Sequence, residues 1–170
     1  MAGFKGARFK GFATLDEAKA FMAGMPEISE PIEAELDRGT VIYVDGSYIN
    51  GRYSWGFAVY DNGSLVDYAN GIGTSLTAAR LRNVAGEMQG AMEAVLWAEA
   101  NGIEPVTICH DYEGIAAWPL RRWQAKLPET REYAVFMQPR LGWVKFQKVA
   151  GHTGVEGNEL ADRLARQALK

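Results

Sequence analysis

The apolar pattern of this chain switches between strand and helix periods several times, and the switches fix the order in which its elements can be laid down. From Val41 to Gly73 the residues read as three strand segments, VIYVD, YSWGFAVY and SLVDYANGIG, the last two joined by the tight turn Asp61-Asn62-Gly63. From Val84 onward, Val84, Met88, Ala91, Met92 and Val95 recur at helical spacing until Asn101-Gly102 stops the pattern. VTICHD is then a fourth strand, EGIAAW and ETREYAVFM are shorter helical stretches, VKFQKV is a fifth strand, and GNELADRLARQALK closes as an amphipathic helix. The order βββαβααβα predicts an α/β domain with a five-stranded mixed sheet flanked by helices.

Length and charge divide the rest. With 170 residues, 48% hydrophobic and 23% charged, the chain has room for one domain and a small appendage, and whole-chain disorder is excluded. The lone Cys109 excludes a disulfide scaffold or a Cys-rich zinc site. No run of about 18 apolar residues occurs, and the first residues lack an apolar stretch of signal-peptide length. A cytoplasmic monomer with no membrane partner is therefore expected. Residues 1 to 25 are basic, with Lys5, Arg8, Lys10 and Lys19 against Asp16 and Glu17. Residues 26 to 40 hold five acids, Arg38 and two prolines, and read as an acidic linker before the body at 41 to 170. Thr14-Leu15-Asp16-Glu17 is a capping box that predicts a helix over residues 15 to 23, after the short strand pattern ARFKGF.

Asp45 ends the first strand pattern and Asp111 the fourth, and ligands of open α/β sheets sit at the carboxyl ends of parallel strands. Taken alone, Asp45-Gly46 is also a good turn dipeptide and Asp111 a good helix cap. If the two strands pair, about 4.8 Å apart, the two carboxylates repel unless a cation bridges them. Glu87 stands at the border of the helical apolar stripe, flanked by Gly86 and Gly90, whose presence one turn apart predicts close packing on the sheet. Alone it is an ordinary rim glutamate. GHTGVEGNELAD, residues 151 to 162, is a glycine-rich loop with one histidine running into a helix that bears Asp162.

Taken in order, VDGS, NVAGE, the strand ending in Asp111, and GHTGVEGNELAD resemble the motif series of type 1 ribonuclease H across residues 41 to 170. NVAGE and HDYEGI resemble the bacterial subgroup that carries an N-terminal hybrid-binding, viroplasmin-like module, and GARFKGFATLDEAKAF resembles the second half of that module. The resemblance implies a ribonuclease H-like fold and an endonuclease that hydrolyses the RNA strand of RNA/DNA hybrids, giving 3′-hydroxyl and 5′-phosphate ends. It implies two Mg²⁺ or Mn²⁺ ions held by Asp45, Glu87, Asp111 and Asp162. In-line phosphodiester hydrolysis needs an activated water and a stabilised leaving oxygen, which two ions about 4 Å apart supply, and oxygen ligands suit these ions better than zinc. His152 matches the family's accessory histidine, suited to proton transfer because imidazole titrates near neutrality.

For the hybrid itself, the backbone at Gly46 and Ser47 and the side chain of Asn83 match positions that face the RNA 2′-hydroxyls, although Asn83 is equally a good N-cap. Asn158, within the same closing motif, is also expected at the substrate. Glu113 departs from the Gln or Asn often found there in the wider family. Arg121, Arg122 and Trp123 lie in WPLRRWQAK, whose interleaved bases and aromatics suit phosphate contact and sugar stacking, while Trp118 and Trp123 also read as partly core. The family often has a longer basic handle here, and Pro119 shortens it. Two other classes share these features in part: a noncatalytic hybrid-binding protein and a resolvase- or transposase-type metal nuclease. The full set of four acids and the GNELAD ending favour the ribonuclease.

Overall fold

A computed structural model describes residues 38 to 150 and 156 to 170. The expected appendage, its helix over 15 to 23 and the linker up to residue 37 lie outside the described residues. Among those described, β1 (Thr40–Ile49), β2 (Arg52–Asp61) and β3 (Ser64–Ile72) form the antiparallel meander. Helix α1 (Asn83–Ala100) leads to β4 (Val106–His110), the single turn α2 (Gly114–Ala117), α3 (Pro128–Met137), β5 (Val144–Lys148) and α4 (Glu156–Ala168). The sheet order is β3-β2-β1-β4-β5, with β4 parallel to both β1 and β5, so the mixed sheet read from the sequence is present.

Two strand ends differ from the sequence pattern. β1 runs on past Asp45 to Ile49 and turns through Asn50 and Gly51, both at positive φ, the same device that Asn62 and Gly63 use in the next hairpin. β4 ends at His110, one residue before Asp111.

β1 lies at the centre of the sheet, buried on both faces, which is why VIYV is continuously apolar rather than alternating. Ile42 and Val44 pack with Phe57, Val59 and Ile108 under α1, whereas Val41 and Tyr43 pack with Ala58 and Tyr60 under α4. The small residues Ala91, Ala94 and Ala98 of α1 are fully buried, so the buried stripe of that helix is rotated away from Val84 and Met92, which are only partly covered. No helix among the described residues is long and apolar enough to cross a membrane.

Candidate active site

Strand alternation places Asp45 on the Val41–Tyr43 face and Gly46 on the opposite face, against α1. A Cβ on Gly46 would stand 2.3 Å from the Asn83 carbonyl and 2.4 Å from the Glu87 nitrogen. One on Gly86 would stand 2.0 Å from the Ser54 carbonyl. The two glycines let the backbone of α1 rest directly on β1 and β2, and that contact carries Glu87 over the end of the sheet. Gly90 also packs on the sheet, but with room for a methyl: a Cβ there would meet the Asp45 and Gly56 carbonyls at 3.5 Å, an ordinary contact.

Glu87 is 1% exposed, a burial that the rim reading of its helix did not anticipate. Its Oε2 accepts the backbone N–H groups of Asp111 at 2.9 Å and Tyr112 at 3.3 Å, which also explains why β4 stops before Asp111. Asp45 is 9% exposed and accepts the Gly46 N–H at 2.8 Å. Carboxylate oxygens of Asp45, Glu87 and Asp111 all lie within 4.8 Å of one another. The cost of that convergence is visible in the proton affinities. Burial, then the Asp111 charge, pushes the Asp45 carboxyl up from 3.8 to about 7, with the Asp162 charge adding to the rise. Burial, Asp111 and Asp45 push Glu87 well above the usual carboxylate range.

Asp162, on α4, stands beside Asp45 but does not join the tight triad; its carboxylate is paired with Arg166 one turn along the same helix. Buried Asp45 and Glu87 with half-buried Asp111, all offering oxygen as the sole donor type, form a set that fits hard divalent cations such as Mg²⁺ or Mn²⁺. The fit rests on this donor chemistry, because a cation relieves the repulsion that proximity imposes.

His152 lies outside the described residues. Asn83 is the first residue of α1 and Arg82 takes the N-cap place, so the capping alternative for Asn83 is not realised. Asn83 is exposed, and its backbone carbonyl lies against Gly46. Sequence reasoning missed Arg82, whose exposed guanidinium lies 5.7 Å from the Tyr48 ring centre and adds a cation to this edge. Asn158 is 3% exposed in the first turn of α4, and its Oδ1 has no hydrogen-bond partner among the described residues.

Arg121 and Arg122 are exposed, and Arg122 lies 3.9 Å from Glu113. Trp123 is 41% exposed and meets Trp118 and Tyr112 edge-on, each at 5.9 Å, so Trp118 is the more core-bound of the pair. These residues, with Arg131 and Val135, line a groove of about 590 Å³. His110 is buried and bonded to the Tyr112 carbonyl, and Cys109 is a core residue.

Comparison with known proteins agrees with this geometry. The RNase H family model matches residues 37–170, and that of the ribonuclease H1 N-terminal domain matches residues 1–22. A ribonuclease H from Cyanothece sp. (strain PCC 7425 / ATCC 29141) is 32% identical over 150 residues, covering 79% of this chain and 90% of that protein. The crystal structure of RNase H1 from Halobacterium salinarum NRC-1 superposes with a TM-score of 0.64 at 20% identity, covering 76% of this chain and 96% of the other. The N-terminal RNase H domain of a Mycobacterium tuberculosis protein gives 0.63 at 20% identity, covering 78% and 94%. A compost-derived RNase H1, LC11, solved with an RNA/DNA hybrid, gives 0.60 at 17% identity, covering 77% and 99%. With the family model spanning the whole described body and the acidic triad at the sheet's carboxyl end, this chain belongs to the ribonuclease H family of nucleases.

Proposed function

We propose that the chain hydrolyses the RNA strand of RNA/DNA hybrids without sequence preference, leaving 3′-hydroxyl and 5′-phosphate ends, with two Mg²⁺ or Mn²⁺ ions held by Asp45, Glu87, Asp111 and Asp162. The observation that carries this reading is the convergence within 4.8 Å of Asp45 from β1, Glu87 from α1 and Asp111 just after β4 in an RNase H fold. When bound, such ions supply charge stabilisation at the scissile phosphate and an activated water. Four carboxylates match the charge of two divalent ions.

The chain's own residues do the rest. Backbone donors at Asp111 and Tyr112 fix the Glu87 carboxylate in place before any ligand arrives. Gly46, Ser47 and Asn83, at the rim beside Asp45, face the RNA strand, where the 2′-hydroxyl distinguishes it from DNA. Arg121, Arg122 and Trp123 grip the phosphates and sugars further along, and His152 assists proton transfer. The hybrid-bound LC11 relative supports this choice of substrate.

A labelled hybrid, double-stranded RNA and double-stranded DNA, each incubated with Mg²⁺, Mn²⁺ or EDTA, test the reading. Cleavage confined to the RNA strand of the hybrid and stopped by EDTA is expected. Cleavage of the DNA duplex, or binding without cleavage, would contradict it.

A further inference from the structure

Helix α4 carries Asp162 yet shares no backbone ladder with β1, which carries Asp45, so side chains and packing alone set its height on the sheet. Close packing is provided by Gly56, where a Cβ would stand 2.7 Å from the Ala161 carbonyl, and by Gly157, where one would stand 2.3 Å from the Tyr43 ring. Small residues let the helix approach, but they do not stop it from sliding or turning.

Its two ends are tethered by polar side chains of the meander. At the C-terminal end, carbonyls of the last turn and just beyond it accept hydrogen bonds from Asn70 Nδ2 (Leu164, 2.7 Å), the Ser54 hydroxyl (Ala165) and Arg52 (Leu169, 3.1 Å). At the N-terminal end the acceptor is a side-chain carboxylate rather than a backbone carbonyl. The Tyr60 hydroxyl donates to Glu156 Oε2 at 2.5 Å, between side chains whose residues are 2% and 7% exposed. Tyr60 is itself held edge-on to Tyr43 at 5.5 Å.

Glu156 occupies a place where packing alone asks for an apolar residue, since Leu160 and Leu164 follow it at four-residue intervals on the same buried stripe. Its second oxygen, Oε1, has no hydrogen-bond partner among the described residues. A buried, half-satisfied carboxylate is a cost to stability, and burial pushes its pKa up. What the carboxylate provides in return is direction: a single acceptor that fixes one point of α4 on β2. Asp162 lies six residues further, about 9 Å along the axis at 1.5 Å per residue. A displacement at Glu156 is transmitted through the rigid helix to Asp162.

We propose that Tyr60 and Glu156 are positioning residues for Asp162: their buried hydroxyl–carboxylate bond sets the height and rotation of α4, so that Asp162 stands beside Asp45. This inference rests on the nuclease reading above and assigns it two residues that touch neither substrate nor ion.

Tyr60→Phe removes the hydroxyl and keeps the ring; Glu156→Leu removes the acceptor and completes the apolar stripe; Glu156→Gln keeps an acceptor oxygen. Each is compared with the wild type for kcat and KM on a hybrid, for Mn²⁺ affinity of the resting protein by calorimetry, and for melting temperature. Tyr60→Phe and Glu156→Leu are expected to lose about 10-fold in kcat and in Mn²⁺ affinity with KM within about twofold, the size typical of orienting partners one step removed from a metal. Glu156→Leu should do so while melting no lower than wild type, and Glu156→Gln should restore both quantities. Wild-type kcat and Mn²⁺ affinity in Tyr60→Phe and Glu156→Leu overturn the proposal, as does an equal loss in Glu156→Gln. Should the wild-type chain itself leave hybrids intact, the nuclease reading fails. The Mn²⁺ affinities then still decide the positioning role, a tenfold loss sustaining it and an unchanged value overturning it.

Discussion

Glu87 Oε2 accepts the Asp111 N–H at 2.9 Å, so two of the acidic residues are joined directly, side chain to backbone. The bond terminates β4, orients Glu87 and fixes the distance between α1 and the strand end in one contact. Its donor is part of the fold, so the carboxylate is placed before any cation binds.

Metal-free stability should fall as pH rises from about 4 to about 7. Asp45 binds its proton more tightly folded, near 7, than unfolded, near 3.8, so over that window the native state holds the proton that the unfolded chain has released. His110, which burial pushes down, contributes the opposite slope and is common to the wild type and Asp45→Asn. The difference between their melting temperatures in EDTA therefore isolates the effect: Asp45→Asn should gain on wild type with rising pH. Mn²⁺ should raise the wild-type melting point at pH 8, by about 2.7 kcal/mol of added stability at a hundredfold excess over its Kd. A constant difference across the window would contradict the raised Asp45 pKa.

Gly86→Ala and Gly90→Ala should part company, although both glycines lie a turn apart on α1. The first puts a methyl 2.0 Å from a backbone carbonyl and should cost about 1–3 kcal/mol by forcing α1 off the sheet, with cleavage falling as Glu87 moves. The second meets only ordinary contacts and should be neutral or stabilising by up to about 1 kcal/mol from helix propensity. Denaturant unfolding of the two variants settles it, and equal destabilisation would be the adverse result.

The sheet, its order of elements and the candidate carboxylates were legible because each rests on local pattern: a run ending in Asp, a helical repeat, a glycine-rich motif. The burial of Glu87 was not, because its helix looks almost evenly apolar once Ala94 and Ala98 are counted, and only the backbone contact of Gly86 with Ser54 decides which face lies inward. The burial of Asn158 was not legible either, because a place in a motif says nothing about which way a first-turn side chain packs. Tyr60 and Glu156 are 96 positions apart, and no periodicity links a strand hydroxyl to a helix carboxylate across that distance.

His152→Ala should slow cleavage by about 10²- to 10⁴-fold without abolishing it, since a general acid or base contributes on that scale while the carboxylate centre stays intact. Single-turnover rates on a hybrid test this. Loss as complete as that of Asp45→Asn would give His152 a larger part than proton transfer.

Removing residues 1 to 25 should leave a folded nuclease with weaker and less salt-dependent hybrid binding. Lys5, Arg8, Lys10 and Lys19 lie in this segment, and each lost phosphate contact lowers the salt slope by about 0.7 to 0.9. A large fall in melting temperature with an unchanged slope would instead show that the segment packs on the body through Leu15, Ala18, Phe21 and Met22.

The most direct test of the acidic centre is paired measurement of hybrid cleavage and hybrid affinity for Asp45→Asn in Mg²⁺. The substitution keeps the shape of the side chain and removes the charge shared by the site, so cleavage should vanish while affinity stays near that of wild type. Cleavage at more than about a tenth of the wild-type Mg²⁺-dependent rate, a barrier change below roughly 1.4 kcal/mol, would contradict the assignment of Asp45 to a metal-dependent centre.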